Sequence, residues 1–304
     1  MQAPRRGPVL IVALALLWGS NFAWIKIALG AFSPTQLTFG RMLLGALILC
    51  AVIAITHDRL PRGWQTWAHL TIAALVSNAA PYLLFALGET RVDSSIAGVL
   101  NATTPLWTLA LVAATRYGES IRPAQVAGFI LGLAGCVVLY APWNTHTIDT
   151  LGTFYCLLAA ISYAISYVYI ARYLTPKKIS PSALAAAQLL AATGWTLLTL
   201  ATHPGPTPHL TPGPWIALAI LGLIGTGLAY IINYALIRTE GPTRASIVTY
   251  LVPIVALTLG AAALTEPLTP NLLTGTILIL AGIVTSRHTS TDSRRRHENR
   301  TQSP

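Results

Sequence analysis

Apolar stretches of about twenty residues recur along this chain, and no other feature limits its folding so severely. A helix rises 1.5 Å per residue, so about twenty residues cross a ~30 Å hydrocarbon layer. Ten such stretches can be placed, at about 8–30, 36–56, 65–87, 94–115, 123–141, 151–172, 182–202, 214–238, 244–264 and 271–287. Short connections punctuated by Pro and Gly separate them, as in Arg59-Leu60-Pro61-Arg62-Gly63 and His203-Pro204-Gly205-Pro206. Arg5-Arg6 ahead of an apolar run imitates a signal peptide, but the run continues through Trp18 to Leu29 and reads as an uncleaved first span.

Composition agrees. Charged residues make up 9% of the chain and apolar ones 54%, against about a quarter charged in soluble domains. A soluble enzyme, a secreted disulfide scaffold and a disordered chain are excluded, and the expected class is an all-α polytopic membrane protein. Cys50, Cys136 and Cys156 sit inside apolar runs without metal-ligand spacing and read as small buried hydrophobes. The expectation is therefore no metal and no cofactor.

The net charge of +10 raises the question of nucleic acid, and the placement of the charges answers it. With the N-terminus inside, Arg5, Arg6, Arg59, Arg62, Arg116, Arg122, Arg172, Lys177, Lys178, Arg238, Arg244, Arg287, Arg294, Arg295, Arg296 and Arg300 all face the cytoplasm, 16 of the 19 basic residues. Only Arg91 falls outside, while Lys26 and Arg41 lie within spans. This is the positive-inside pattern, and it predicts ten spans with both termini cytoplasmic and no nucleic-acid partner. Residues 288–304 are polar, Arg-rich and aperiodic, and are expected to form a disordered basic tail.

The two halves repeat. Glu119 is followed by Gly128 and GFILGLAGCVV, and Glu266 by Gly275 and GTILILAGIVT; Pro105 and Pro253 interrupt the preceding spans. Phe85-Ala86-Leu87 answers to Tyr234-Ala235-Leu236. Residues 8–141 and 151–287 thus form two five-helix units. With an odd number of spans in each, the second enters the membrane from the opposite face, the inverted-topology arrangement on which alternating access is built.

Trp18-Gly19-Ser20-Asn21-Phe22 with Lys26, Arg41 opening the second span, and the duplicated Pro…Glu…Gly…Gly series resemble the drug/metabolite transporter superfamily in its ten-helix EamA-type branch. The resemblance covers about Val9 to Ser286. It implies a bacterial inner-membrane carrier of small metabolites, often amino acids and often outward. The sequence shows no nucleophile–base pair, carboxylate cluster or metal constellation at one membrane face, so a non-enzyme is expected, working in the bilayer on a small-molecule substrate as a functional monomer.

Polar side chains at bilayer depth are costly and mark cavities or interhelical contacts. Asn21, Asn78, Asn101 and Asn233 lie within spans, with Tyr82, Tyr163, Tyr167 and Tyr230 at helical spacing. With Trp18 and Tyr250 they form the expected substrate-binding set, a neutral amphipathic lining; for any single Asn, interhelical hydrogen bonding is an equal alternative. Lys26 and Arg41 either draw a carboxylate or phosphate into the pathway or snorkel from helix ends. Pro81, Pro105 and Pro253 are helix breaks that free carbonyls near a cavity. Glu89, Glu119, Glu240 and Glu266 lie at helix ends or in loops, so carboxylate-driven proton antiport is disfavoured. Import or exchange of sugars, nucleosides or organic anions stays open, and a membrane-embedded enzyme or sensor is the rival of another class.

The predicted direction has a direct test. A reporter enzyme active only in the cytoplasm should work when fused after Pro304 and fail when inserted in the 142–149 connection; the reverse result rejects the topology.

Overall fold

The computed structural model describes residues 6–115, 123–141, 149–240 and 248–301, and among these it is helical with no strand. Eight helices are long and apolar enough to cross a membrane: α1 (Gly7–Ala28), α2 (Pro34–Thr56), α3 (Trp64–Glu89), α4 (Ser94–Thr115), α5 (Pro123–Tyr140), α6 (Thr150–Lys177), α7 (Pro181–Thr202) and α8 (Pro212–Glu240). Two shorter apolar helices follow on the last two predicted stretches, α9 (Val248–Leu264) and α10 (Pro270–Ser286). The backbone of α10 stays helical to Thr301, into the segment the sequence marks as a polar tail.

Local sequence sets the helix starts. Ser33 makes a capping box with Gln36, accepting from its N–H and donating its own N–H to Oε1, and Pro34 takes the first helical position. Ser180-Pro181 repeats the device at α7, with Ser180 Oγ accepting from Ala183 N at 3.2 Å. Asp149 caps α6 through Gly152 N at 2.7 Å, and this bond holds its carboxyl below the usual range.

Helix partners exchange when the first five helices are swapped with the second five. The pair α1–α9 becomes α6–α4, α3–α6 becomes α8–α1, and α2–α8 becomes α7–α3; α2–α7, α4–α9 and α5–α10 map onto themselves. Between α2 and α7 the buried layer is Met42, Ala46 and Leu49 against Ala185, Ala186, Leu189 and Ala192. Small residues let helices approach where lipid gives no hydrophobic drive between them.

The α5–α10 seam is the tightest case. A Cβ on Gly128 would lie 2.5 Å from Gly282 O, and one on Gly282 equally close to Gly128 O. Gly135 and Gly275 face each other's carbonyls in the same way, at 2.8 Å. Position 128 meets 282 while 135 meets 275, so the two helices run antiparallel and the contact is made twice.

Because the obstacle is backbone, Gly282→Ala should cost about 1–3 kcal/mol, read as a lower melting temperature. Gly194→Ala, where nothing lies within 4 Å, should be neutral. Equal effects from the two substitutions would remove the seam's special role.

Candidate functional site

Irregularities in helices α3 and α8 position the central polar groups. Each contains a π stretch, Leu75–Ala79 in α3 and Ile220–Leu228 in α8, at equivalent places in the two repeats. A π turn shifts the hydrogen-bond register and leaves carbonyls seeking other donors. Ser162 of α6 donates to Val76 O at 2.8 Å. Pro81 is buried and opens the regular helix beyond the first stretch.

Arg41 lies at the second stretch, 3% exposed. Its Nε donates to Thr226 Oγ1 at 2.9 Å, and its guanidinium carbon sits 4.2 Å from the centre of the Tyr82 ring. The Asn21 amide stands between Gly225 O, Leu17 O and Arg41. With nitrogen toward Arg41 it reaches Gly225 O at 3.3 Å, but donor faces donor. The rotated amide accepts from Arg41 Nη2 at 2.9 Å and donates to Leu17 O at 3.2 Å, which satisfies both ends. No carboxylate lies within ion-pair distance of Arg41 among the described residues. The guanidinium is held by an amide, a hydroxyl and an aromatic face.

Next to it, fully buried Asn78 donates to Tyr230 Oη at 2.9 Å and accepts from Ser77, joining α3 to α8. Tyr82 meets Tyr163 edge-on at 6.3 Å, and Tyr163 lies 6.2 Å from Phe85. Asn21, Arg41, Tyr82 and Tyr163 are therefore one connected group drawn from α1, α2, α3 and α6, and the Asn78–Tyr230 pair stands one helical turn from Tyr82 on α3 and from Thr226 on α8. The structure does not gather the rest of the expected set so closely. Trp18 and Tyr250 pack, half-buried, on the largest apolar cluster. Asn101 and Asn233 are half-buried, and Tyr167 is 58% exposed.

Pro105 follows a real interruption of α4, between Ser94–Asn101 and Thr104–Thr115. Thr103 and Thr104 mend it by donating to Leu100 O and Asn101 O at 2.6 and 2.7 Å. Pro253 is buried inside α9, where Gly19 of α1 comes close enough that a Cβ would meet Val252 O at 2.9 Å.

Lys26 does not snorkel. Its ammonium donates to Glu89 O and Val92 O, both at 2.8 Å, tying the end of α1 to the end of α3. At the same end Glu266 accepts from Ser94 N and Ser95 N at 2.8 and 2.9 Å and so caps α4 from outside it. Burial works against ionisation there, yet Ser95 and Ser94 together hold the Glu266 carboxyl below the usual range. Its repeat counterpart Glu119 lies outside the described residues.

Sequence reasoning passed over Thr226 and Gln188. Gln188 stands eight residues after Ser180-Pro181, as Arg41 stands eight after Ser33-Pro34, and its buried Nε2 has no partner. The repeated Ser-Pro was the available signal. His69, a candidate proton carrier by residue type alone, bonds Tyr169 Oη at 2.8 Å and stacks on Tyr173 at 4.9 Å, away from this group.

A family model described as the EamA-like transporter family matches residues 5–141 and again 150–287. The "Uncharacterized transporter YvbV" of Bacillus subtilis is 26% identical over 93% of this chain and 92% of its own length. The "Uncharacterized inner membrane transporter YedA" of Escherichia coli K12 is 29% identical over 82% and 80%. A WAT1-related chloroplastic protein of Arabidopsis thaliana is 26% identical over 90% of the chain and 67% of its own length. A solved crystal structure superposes with a TM-score of 0.67 at 21% identity, covering 95% of this chain and 99% of the other. That likeness concerns the fold alone.

The Asn78–Tyr230 contact makes a measurable claim. Asn78→Ala and Tyr230→Phe should each lower stability, with a coupling energy of about 0.6 and at most about 1.7 kcal/mol in a double-mutant cycle in bilayer-like micelles. Strict additivity would mean that the bond contributes nothing.

Proposed function

The chain belongs to the EamA-like transporter family, and from that premise we propose that this multi-pass membrane transporter is a ten-helix carrier working by alternating access. Its two five-helix halves are inverted relative to each other, with both termini in the cytoplasm of a bacterial cell, and it acts as a monomer. The substrate is a small polar metabolite, an amino acid or a close relative, moved outward. Transport is the activity of the family and of the named relatives; an embedded enzyme has no support from either.

One observation carries the substrate reading: Arg41, buried and with no carboxylate in ion-pair distance among the described residues, is surrounded by amide, hydroxyl and phenol groups. A guanidinium in a low-dielectric site favours a carboxylate, and bidentate geometry suits one. The surrounding Asn78, Tyr82, Tyr163 and Tyr230 offer neutral donors, acceptors and ring faces to the remainder of a zwitterion. Alternation is supported by the exchange of helix partners between repeats, since a site between two equivalent halves can face either side. Trp18, Asn101, Asn233, Tyr250 and exposed Tyr167 complete the pathway walls in this reading.

The same guanidinium also favours a second reading, exchange of organic anions. Purified protein in liposomes loaded with labelled amino acids or dicarboxylates separates the two. The proposal expects accelerated amino-acid flux that falls at least tenfold in Arg41→Gln. Flux confined to dicarboxylates supports the second reading, and no flux of any amino acid in either direction rejects the first.

A further inference from the structure

The carrier reading leaves one buried ionisable group without employment. Glu89, the last residue of α3, is 1% exposed, and neither carboxyl oxygen has a hydrogen-bond partner among the described residues. The nearest cation does not meet it: the Lys26 ammonium is spent on the backbone carbonyls of Glu89 itself and of Val92. Position in the sequence marks Glu89 as a helix-end residue of the kind that water solvates. Packing closes that end instead. Gly88 fits against α6 so tightly that a Cβ would fall 2.5 Å from Cys156 Sγ, and Gly152 of α6 approaches Arg91 and Val92 on the same turn.

The charges that bear on this carboxyl among the described residues act through space: Lys26 from α1, Arg41 from α2 and Glu266 from the connection before α10, with Cys156 beside it on α6. Asp93 lies just beyond α3, within reach of Lys26 and Glu266. None of these supplies a hydrogen bond to either oxygen. An unpaired ion in a dry interior is far costlier than the neutral acid in the same place.

We propose that Glu89 is a proton-binding site whose loading and release are tied to the closing and opening of this end of the bundle. This inference rests on the carrier reading, because it needs a cycle in which that end opens. In the closed arrangement the carboxylic O–H bond is intact. When water enters between α1, α3 and α6, that bond breaks, the proton passes to water and the electron pair stays on the carboxylate, which then faces Lys26. Reclosing over the unpaired carboxylate is the unfavourable step, so only the protonated form closes. Proton occupancy and conformation are thereby linked at this end, in a carrier whose spans hold no mid-membrane acid.

Two readouts on the full chain in lipid nanodiscs test this with no transported solute, so a failure here is separate from a failure of the flux assay. Infrared spectra at neutral pH should show a protonated-carboxyl stretch that moves in heavy water, disappears in Glu89→Gln and persists in Glu266→Gln. Spin labels at exposed Thr90 and Leu210, in a background with Cys50, Cys136 and Cys156 replaced, should report an open-to-closed ratio that changes with pH by up to about tenfold per unit, the limit for one linked proton. In Glu89→Gln that ratio should no longer respond to pH, and in Glu89→Asp the response should return. A carboxyl band unchanged in Glu89→Gln, or a pH response that survives in it, overturns the proposal. Should Glu89→Gln fail to fold, Glu89→Asp carries the test alone: a displaced band supports the assignment and an unmoved one rejects it.

Discussion

A backbone carbonyl that loses its helical donor inside a lipid-embedded bundle has no water to turn to. Much of this structure can be derived from that constraint. The π stretches of α3 and α8 shift the helical hydrogen-bond register and α4 is interrupted, and a hydroxyl attends a carbonyl at each place: Ser162 on Val76 O, Thr226 on Leu221 O, Thr103 and Thr104 within α4. Polar side chains are therefore present at depth first because the backbone is irregular there. Once present, they give Arg41 something other than a carboxylate to bind.

That ordering explains how the two ends of the molecule differ from its middle. In the middle, Asn78 and Tyr230 bridge two helices through one hydrogen bond between neutral groups, and such bonds in membrane proteins are individually weak, while Arg41 meets a hydroxyl, an amide and a ring with no carboxylate in ion-pair distance among the described residues. At the Glu89 end, Lys26 and Glu266 make charge-assisted bonds to backbone at 2.8–2.9 Å, which are stronger. The Asp58 carboxylate ties the opposite end, accepting from Ser180 and Ser182 at the start of α7, and those bonds hold it below the ordinary range.

Much of this was legible in the chain. The apolar stretches coincide with the helices because length and hydropathy are local properties. The repeat was visible because Gly and Pro leave a pattern that survives divergence, and the glycines of α5 and α10 proved to be a packing surface. Joint burial is what a linear reading cannot supply. Glu89 looks solvated until Gly88 and Gly152 bring α3 and α6 together, and Lys26 looks like a snorkelling residue until the end of α3 presents two carbonyls. Tyr163 and Tyr167 share a helix face by spacing, yet only Tyr163 enters the ring cluster, because what lies opposite each is decided by other helices.

The Ser-Pro starts of α2 and α7 place Arg41 and Gln188 at the same step of paired helices. In a symmetric dimer of a single five-helix chain, that step would carry identical residues: two guanidiniums repelling each other, or two amides with no charge to offer. Joining both copies in one polypeptide removes that obligation. One gene can then encode a cation on one side of the pair and a neutral donor on the other, so the centre between the repeats gains a polarity that no symmetric homodimer could possess.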